Sequence, residues 1–158
     1  MLMGNNKDRL RHLIKVAEKE AKHLELTWSR LKSEEVNPQW VAGLEDDLDM
    51  AERVDAFVAR FGRLQDHLGD KCTPELLKQM LETPSSAINN LGRMEKLGLI
   101  ASVEQWIEAR NLRNRLVHDY VEDNEEFSSA LNRAIELVEM LLTVQRSYDK
   151  QAQSLLSL

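Results

Sequence analysis

A short basic segment carries the residue types of this chain that are best suited to chemistry at a phosphate. It holds three arginines, two asparagines and a histidine, namely Arg110, Asn111, Arg113, Asn114, Arg115 and His118. An arginine guanidinium offers a rigid fork of N–H donors to phosphate oxygens. Histidine is the side chain best able to take up or release a proton near neutral pH. The segment therefore predicts binding or proton transfer at a phosphate.

Composition limits what kind of protein can present this segment. The 158-residue chain has a net charge of −6, so it lacks the excess of lysine and arginine needed to coat nucleic acid indiscriminately. Cys72 is the only cysteine, which excludes an intrachain disulfide and fits a reducing compartment. The N-terminus has no apolar stretch of signal-peptide length and no window approaches a membrane span, so we expect a cytoplasmic protein.

The sequence pattern predicts that the elements that position the basic segment are helices. Glycine and proline are few, aromatic residues make up 5%, and apolar residues recur at three- and four-residue steps. Long helices are predicted over residues 7–32, 45–69 and 103–118, and over a final stretch from Phe127 that continues past Tyr148. Gly69 is expected to end the second helix, and Thr73 to cap a short one. The fold class is therefore all-α, an antiparallel four-helix-type bundle with one or two short extra helices, in a single domain over residues 1–158.

Helical geometry distributes the basic segment over several faces of one helix. At about 100° per residue, Arg110, Asn114 and His118 share a face, and Arg113 lies at its flank. Arg113 and His118 are then roughly 140° apart. They can meet at one phosphate if the helix unwinds near Val117, or if two copies of the segment face each other in a dimer. The buried face is expected to hold Trp106, Ala109, Leu112 and Leu116.

The segment resembles a family signature. Arg113 to His118 is similar to the R-x-x-x-x-H motif of HEPN domains, with Asn114 in the usual polar position after the arginine. The extension to Tyr120 resembles the longer R-x-x-x-x-H-x-Y form of HepT-type toxins. The fold-level similarity covers nearly the whole chain, since that family is an all-helical bundle.

The resemblance implies a metal-independent endoribonuclease toxin that needs no cofactor and forms its site across a homodimer. His118 would be the general acid or base, Arg113 would clamp the developing phosphate charge, and Asn114 would orient one of them. Arg110 and Arg115 would bind the RNA. The family's toxins pair with a nucleotidyltransferase antitoxin, which would inactivate this chain by adenylylating Tyr120.

Other functions remain open at this point. The chain could be a non-catalytic HEPN protein that binds nucleotide or substrate for a nucleotidyltransferase, or a helical adaptor with no site at all. The arginines could form a solvated face paired with Glu104, Glu108 or Asp119, and Tyr120 could pack on Leu116 at the edge of the core.

Two further groups of charges allow more than one interpretation. Arg60 and Arg63 could extend an RNA groove, although surface pairing with Asp66 or Asp70 is the simpler hypothesis. The acidic run over residues 45–49 suits a helix start, where the helix dipole favours negative charge, better than it suits a divalent-ion site. We expect the histidines His12, His23 and His67 to have no catalytic role.

Overall fold

The computed structural model describes residues 2–119 and 123–158, and over these residues it is helical with no β-strand. The all-α prediction is therefore confirmed for the described part of the chain. Within it, no helix has the length and apolar character needed to cross a membrane. The helices are α1 (Leu2–Leu31), α2 (Pro38–Ala42), α3 (Leu48–Asp66), α4 (Thr73–Gln79), α5 (Ala87–Lys96), α6 (Val103–Asp119) and α7 (Asn124–Leu156). A 3₁₀ turn (Gly43–Asp46) precedes α3, and a π-helical turn (His67–Cys72) joins α3 to α4.

Contacts between the four long helices show that spatial neighbours run antiparallel. In each pair, the start of one helix contacts the end of the other. These contacts are Lys7–Leu158 and Trp28–Ile135 for α1 and α7, Leu13–His67 and His23–Arg60 for α1 and α3 with its π turn, Gln65–Trp106 and Gly62–Arg113 for α3 and α6, and Glu108–Arg133 and Arg115–Glu126 for α6 and α7. The order α1, α3, α6, α7 thus closes an antiparallel four-helix arrangement.

A continuous apolar core fills the space between these helices. Phe57 and Phe61, one turn apart on α3, are fully buried, and their ring centroids lie 5.8 Å apart. Tyr148 of α7 is also fully buried, and its hydroxyl lies 2.7 Å from the Oγ1 atom of Thr73, which satisfies both polar groups. The core therefore ties the short α4 to the bundle and holds α6 between α3 and α7.

Local signals place most helix ends correctly. Asn37 caps α2 by accepting from the Trp40 backbone, and Ser86 caps α5 in the same way. Gly98 ends α5 with a φ of +79°, a left-handed conformation that glycine adopts without a steric penalty. Residues 102–105 have the Ser-x-x-Gln form of a capping box, and the Oγ atom of Ser102 accepts from the Gln105 backbone at 3.1 Å.

The predicted helix end at Gly69 is wrong. The chain continues through the π-helical turn directly into α4, and Thr73 has helical dihedrals rather than those of a cap. Its Oγ1 donates to the Leu68 carbonyl at 2.8 Å, a bond that the wider turn makes possible. Gly69 is needed for packing instead, because an added Cβ would lie 3.2 Å from the Trp106 ring.

Candidate functional site

The basic segment lies in the C-terminal half of α6, where a fully apolar face anchors it. Trp106, Ala109, Leu112 and Leu116 are all at least 96% buried, as their spacing predicts. Their contacts with α3 and α7 fix the rotation of α6 about its own axis. The polar residues between them are therefore held on defined faces of the bundle.

The α-helix continues without interruption through Asp119. Of the two arrangements that could join Arg113 to His118, unwinding near Val117 is therefore not observed in the described residues. Five helical steps leave these side chains roughly 140° apart around one helix. Within a single chain they point in different directions.

Two contacts with α3 position the side chain of Arg113. Its side chain crosses α3 at Gly62, where an added Cβ would lie 2.9 Å from Nε and 3.1 Å from Cγ. Beyond that crossing, Nη2 is 3.2 Å from the Oδ2 atom of Asp66. The Arg113 side chain as a whole is 38% exposed, so it stays accessible from solvent although Gly62 and Asp66 confine it.

A groove of about 440 Å³ opens beside this arginine, between α3 and α6. One part is charged, with two cations and a carboxylate, and the other part has apolar walls that lead to a second carboxylate. The lining residues that matter here are Arg63, Arg113, Asp66, Val58, Val117 and Asp55. A cationic group next to an apolar cleft can hold a phosphate and an attached planar group at the same time.

The remaining predicted residues lie on the outer faces of α6. Arg110, Asn114 and His118 are all exposed and share one face, as the four-residue spacing predicts. Arg115 is exposed as well and pairs with Glu126 of α7 at 2.7 Å. Tyr120, the predicted modification site, lies outside the described residues. The structure thus brings Arg110, Asn114 and His118 to one surface and Arg113 to the adjacent groove.

Several charge pairings differ from those the sequence suggested. Glu108 accepts two hydrogen bonds from Arg133 of α7, which lower the pKa of this carboxylate, so it is not a partner of the α6 arginines. Arg60 donates to the His23 carbonyl on α1 and does not line the groove between α3 and α6. Arg63 does line the groove, but the carboxylate of Asp66 pairs with Arg113.

The other histidines and the cysteine have structural surroundings. The Nε2 atom of His67 lies 2.8 Å from the Leu13 carbonyl and links the π turn to α1. Burial raises the pKa of the Cys72 thiol to about 12, which disfavours the thiolate needed for nucleophilic attack. His12 and His23 are exposed on α1, on the opposite side of α3 from α6.

No cluster in the described residues is arranged to hold a metal. Within residues 2–119 and 123–158, no three histidine, cysteine, aspartate or glutamate side chains converge in that way. In the acidic run at residues 45–49, Asp47 caps α3 by accepting from the Met50 backbone at 3.1 Å.

Sequence reasoning missed two residues that shape the site and treated a third only as a surface partner. The predictions from sequence assign no role to Gly62 or Asp55, and the sequence suggests Asp66 only as a surface partner of Arg60 or Arg63. Gly62 carried a usable signal, because an isolated glycine inside a helical pattern often marks a close approach by another group. Asp55 carried none, since an exposed carboxylate on an amphipathic helix is common.

No family model, curated protein or solved structure matches this chain. The case for its function therefore depends on the geometry of α3 and α6 and on the chemistry of the residues there.

Proposed function

We propose that the chain is a metal-independent endoribonuclease of the HEPN type, active as a homodimer and belonging to a toxin–antitoxin module. The helical arrangement of the described residues and the position of the R-x-x-x-x-H segment, Arg113 to His118, on α6 support this proposal. Its substrate is RNA, and its partner is a nucleotidyltransferase antitoxin.

The separation of Arg113 from His118 is the observation that carries the proposal. Arg113 is confined in a groove by Gly62 and Asp66, whereas His118 is exposed on another face of the same regular helix. A phosphate held by Arg113 of one chain can be reached by His118 of a second chain across a two-fold axis, because such an axis places the same surface on both subunits. The cleft between two such helices then holds two copies of each group.

The chemistry requires a base, a cation and the RNA itself. His118 takes the proton from a ribose 2′-hydroxyl, and the oxygen attacks the adjacent phosphorus. The bond from phosphorus to the 5′ oxygen breaks, that oxygen takes up a proton from solvent, and a 2′,3′-cyclic phosphate remains. Arg113 stabilises the negative charge that develops on the phosphate oxygens, and exposed Asn114 orients the histidine or the phosphate.

Tyr120 is the proposed site of control. It follows the described end of α6 directly, two positions after His118. Transfer of an adenylyl group to its hydroxyl would add negative charge to a sequence segment that carries three cations, Arg110, Arg113 and Arg115. That charge would compete with RNA for the same cations, so the modified chain would be inactive.

The test is cleavage of end-labelled RNA by the purified protein in the presence of a metal chelator. We expect cleavage with cyclic-phosphate ends, and a loss of at least about 100-fold for His118→Ala because general acid–base catalysis is of that size. His12→Ala is the matched control, since His12 is also an exposed helical histidine but lies on α1.

The alternatives give different results in the same assay. RNA or nucleotide binding without cleavage in any buffer would support the non-catalytic partner of a nucleotidyltransferase. Equal cleavage by the unchanged protein and by His118→Ala would remove His118 from the mechanism.

A further inference from the structure

The groove between α3 and α6 is larger than a phosphate and has two chemically different ends. We propose that it is a pocket for a guanine base, with Asp55 recognising the base of the nucleotide whose phosphate contacts Arg113. This inference rests on the proposed ribonuclease function and adds a sequence preference to it.

The size and walls of the groove suit a nucleotide. Its volume of about 440 Å³ falls within the range of pockets that hold small ligands. Val58 of α3 and Val117 of α6 supply apolar surface, Leu116 lies buried beneath them, and Val117 is 58% exposed. A planar base buries apolar area by packing on such walls. The guanidinium plane of Arg113, at the charged end, can also stack on the base.

The two ends are spaced along α3 for a single nucleotide. Asp55 and Gly62 are seven residues apart, so they share a face and lie about 10 Å apart along the helix axis. Arg113 crosses at Gly62, and the antiparallel course of α6 carries Val117 from that crossing towards Asp55. A phosphate at Arg113 therefore places its own base along the apolar wall, with the outer edge of the base at Asp55.

The chemistry at Asp55 favours one base. A carboxylate has two acceptor oxygens and no donor. Guanine presents two neighbouring N–H donors on its Watson–Crick edge, whereas adenine and cytosine present one amino group beside an acceptor, and uracil presents its N–H between two carbonyls. Asp55 has no hydrogen-bond or ion-pair partner among the residues that the structure describes, so both of its oxygens are free for such an edge.

The first experiment measures cleavage of four RNAs that are identical except for the base beside one cleavable bond. We expect the guanine substrate to be cut about tenfold faster than the others, since a paired hydrogen bond to a base edge discriminates by at least this factor. Asp55→Asn should lose that preference and cut the four RNAs at similar rates. Glu52→Gln is the matched control, an exposed carboxylate on α3 outside the groove.

The second experiment does not depend on cleavage. Calorimetry with the four nucleoside 3′-monophosphates should show tightest binding of the guanosine nucleotide to the unchanged protein, and loss of that advantage in Asp55→Asn. Equal affinities for the four nucleotides would overturn the guanine pocket whether or not the chain cuts RNA. Cleavage of all four RNAs at one rate would also overturn it, and would leave the ribonuclease proposal intact.

Discussion

At the scale of single residues, the site depends on a glycine without a side chain as much as on charged groups. Gly62 has no side chain at the point where Arg113 crosses α3, and this allows the guanidinium to reach Asp66. A glycine inside a helix costs about 1 kcal/mol of stability relative to alanine. The contact with Arg113 is the physical reason we find for that cost at this position.

Gly62→Ala tests this interpretation. The new Cβ would lie 2.9 Å from Nε of Arg113, so the arginine side chain must shift and we expect RNA cleavage to fall at least about tenfold. Gly92→Ala in α5 is the control, because an added Cβ there would have no atom within 4 Å apart from its chain neighbours and the backbone of its own helix. The free energy of unfolding of this control should rise by about 1 kcal/mol in urea titrations, and the variant should cut RNA as fast as the unchanged protein. Full activity in Gly62→Ala would show that the position of Arg113 is unimportant.

Burial lowers the nucleophilic reactivity of the Cys72 thiol. With the pKa of its thiol raised to about 12 by burial, the reactive thiolate is scarce at neutral pH. We expect iodoacetamide to leave the native protein unlabelled over a period in which the urea-unfolded chain is fully labelled, as measured by intact mass. Rapid labelling of the native protein would contradict the buried position of this side chain.

At the scale of elements, α4 and α5 end in the same hydrogen-bonded motif with different residues at its key position. After α5 the left-handed residue is Gly98, and after α4 it is Leu81, with a φ of +62° and 95% exposure. In both cases the next backbone N–H bonds to a carbonyl five residues earlier, at 2.8 Å for Glu82 and 2.9 Å for Leu99. A leucine there carries a steric cost that glycine avoids and buries almost no surface in return.

Leu81→Gly should therefore stabilise the protein. We expect the free energy of unfolding to rise by about 0.5–1 kcal/mol in urea titrations, because the left-handed strain exceeds the extra chain entropy of glycine in the unfolded state. Leu26→Gly is the contrasting variant, an exposed leucine in the interior of α1, and it should lose about 1 kcal/mol. A loss of stability in both variants would indicate that the Leu81 side chain makes a contact of its own.

At the scale of the whole molecule, the proposed site needs two chains, and this can be tested by complementation. Arg113→Ala and His118→Ala should each be inactive alone. A mixed dimer retains one intact site, made of Arg113 from one subunit and His118 from the other. After random exchange half of the dimers are mixed and half of their sites are intact, so roughly a quarter of the original activity should return. No recovery after verified exchange would place both groups in one chain.

Two buried groups of the core, Tyr148 and Cys72, make the free energy of unfolding depend on pH in the alkaline range. Burial raises the pKa of Tyr148 and of Cys72 above their ordinary values of 10.0 and 9.0, because each group is held in its neutral form. Their contribution to stability is therefore complete below about pH 9 and is lost as the pH rises towards the folded-state values. Urea titrations at pH 8, 10 and 11 should show this decline, and a Cys72→Ala, Tyr148→Phe double variant should show a weaker one.

The sequence by itself determined the helices and their faces. Apolar spacing identified the long helices and the buried side of α6, and the residues that cap α6 and end α5, Ser102 and Gly98, act through local chemistry. These features depend on residues within one or two turns of each other, so local periodicity and capping chemistry are enough to predict them. The same spacing placed Arg110, Asn114 and His118 on one exposed face.

Only the tertiary structure decided which side chains meet. Asp66 pairs with Arg113 and Arg133 pairs with Glu108 because the order and rotation of packed helices bring distant residues together, and no local pattern encodes those distances. For the same reason, Gly69 proved to accommodate Trp106 rather than to end a helix. A helix presents its side chains on all sides, and its neighbours in the bundle determine which of them form a site.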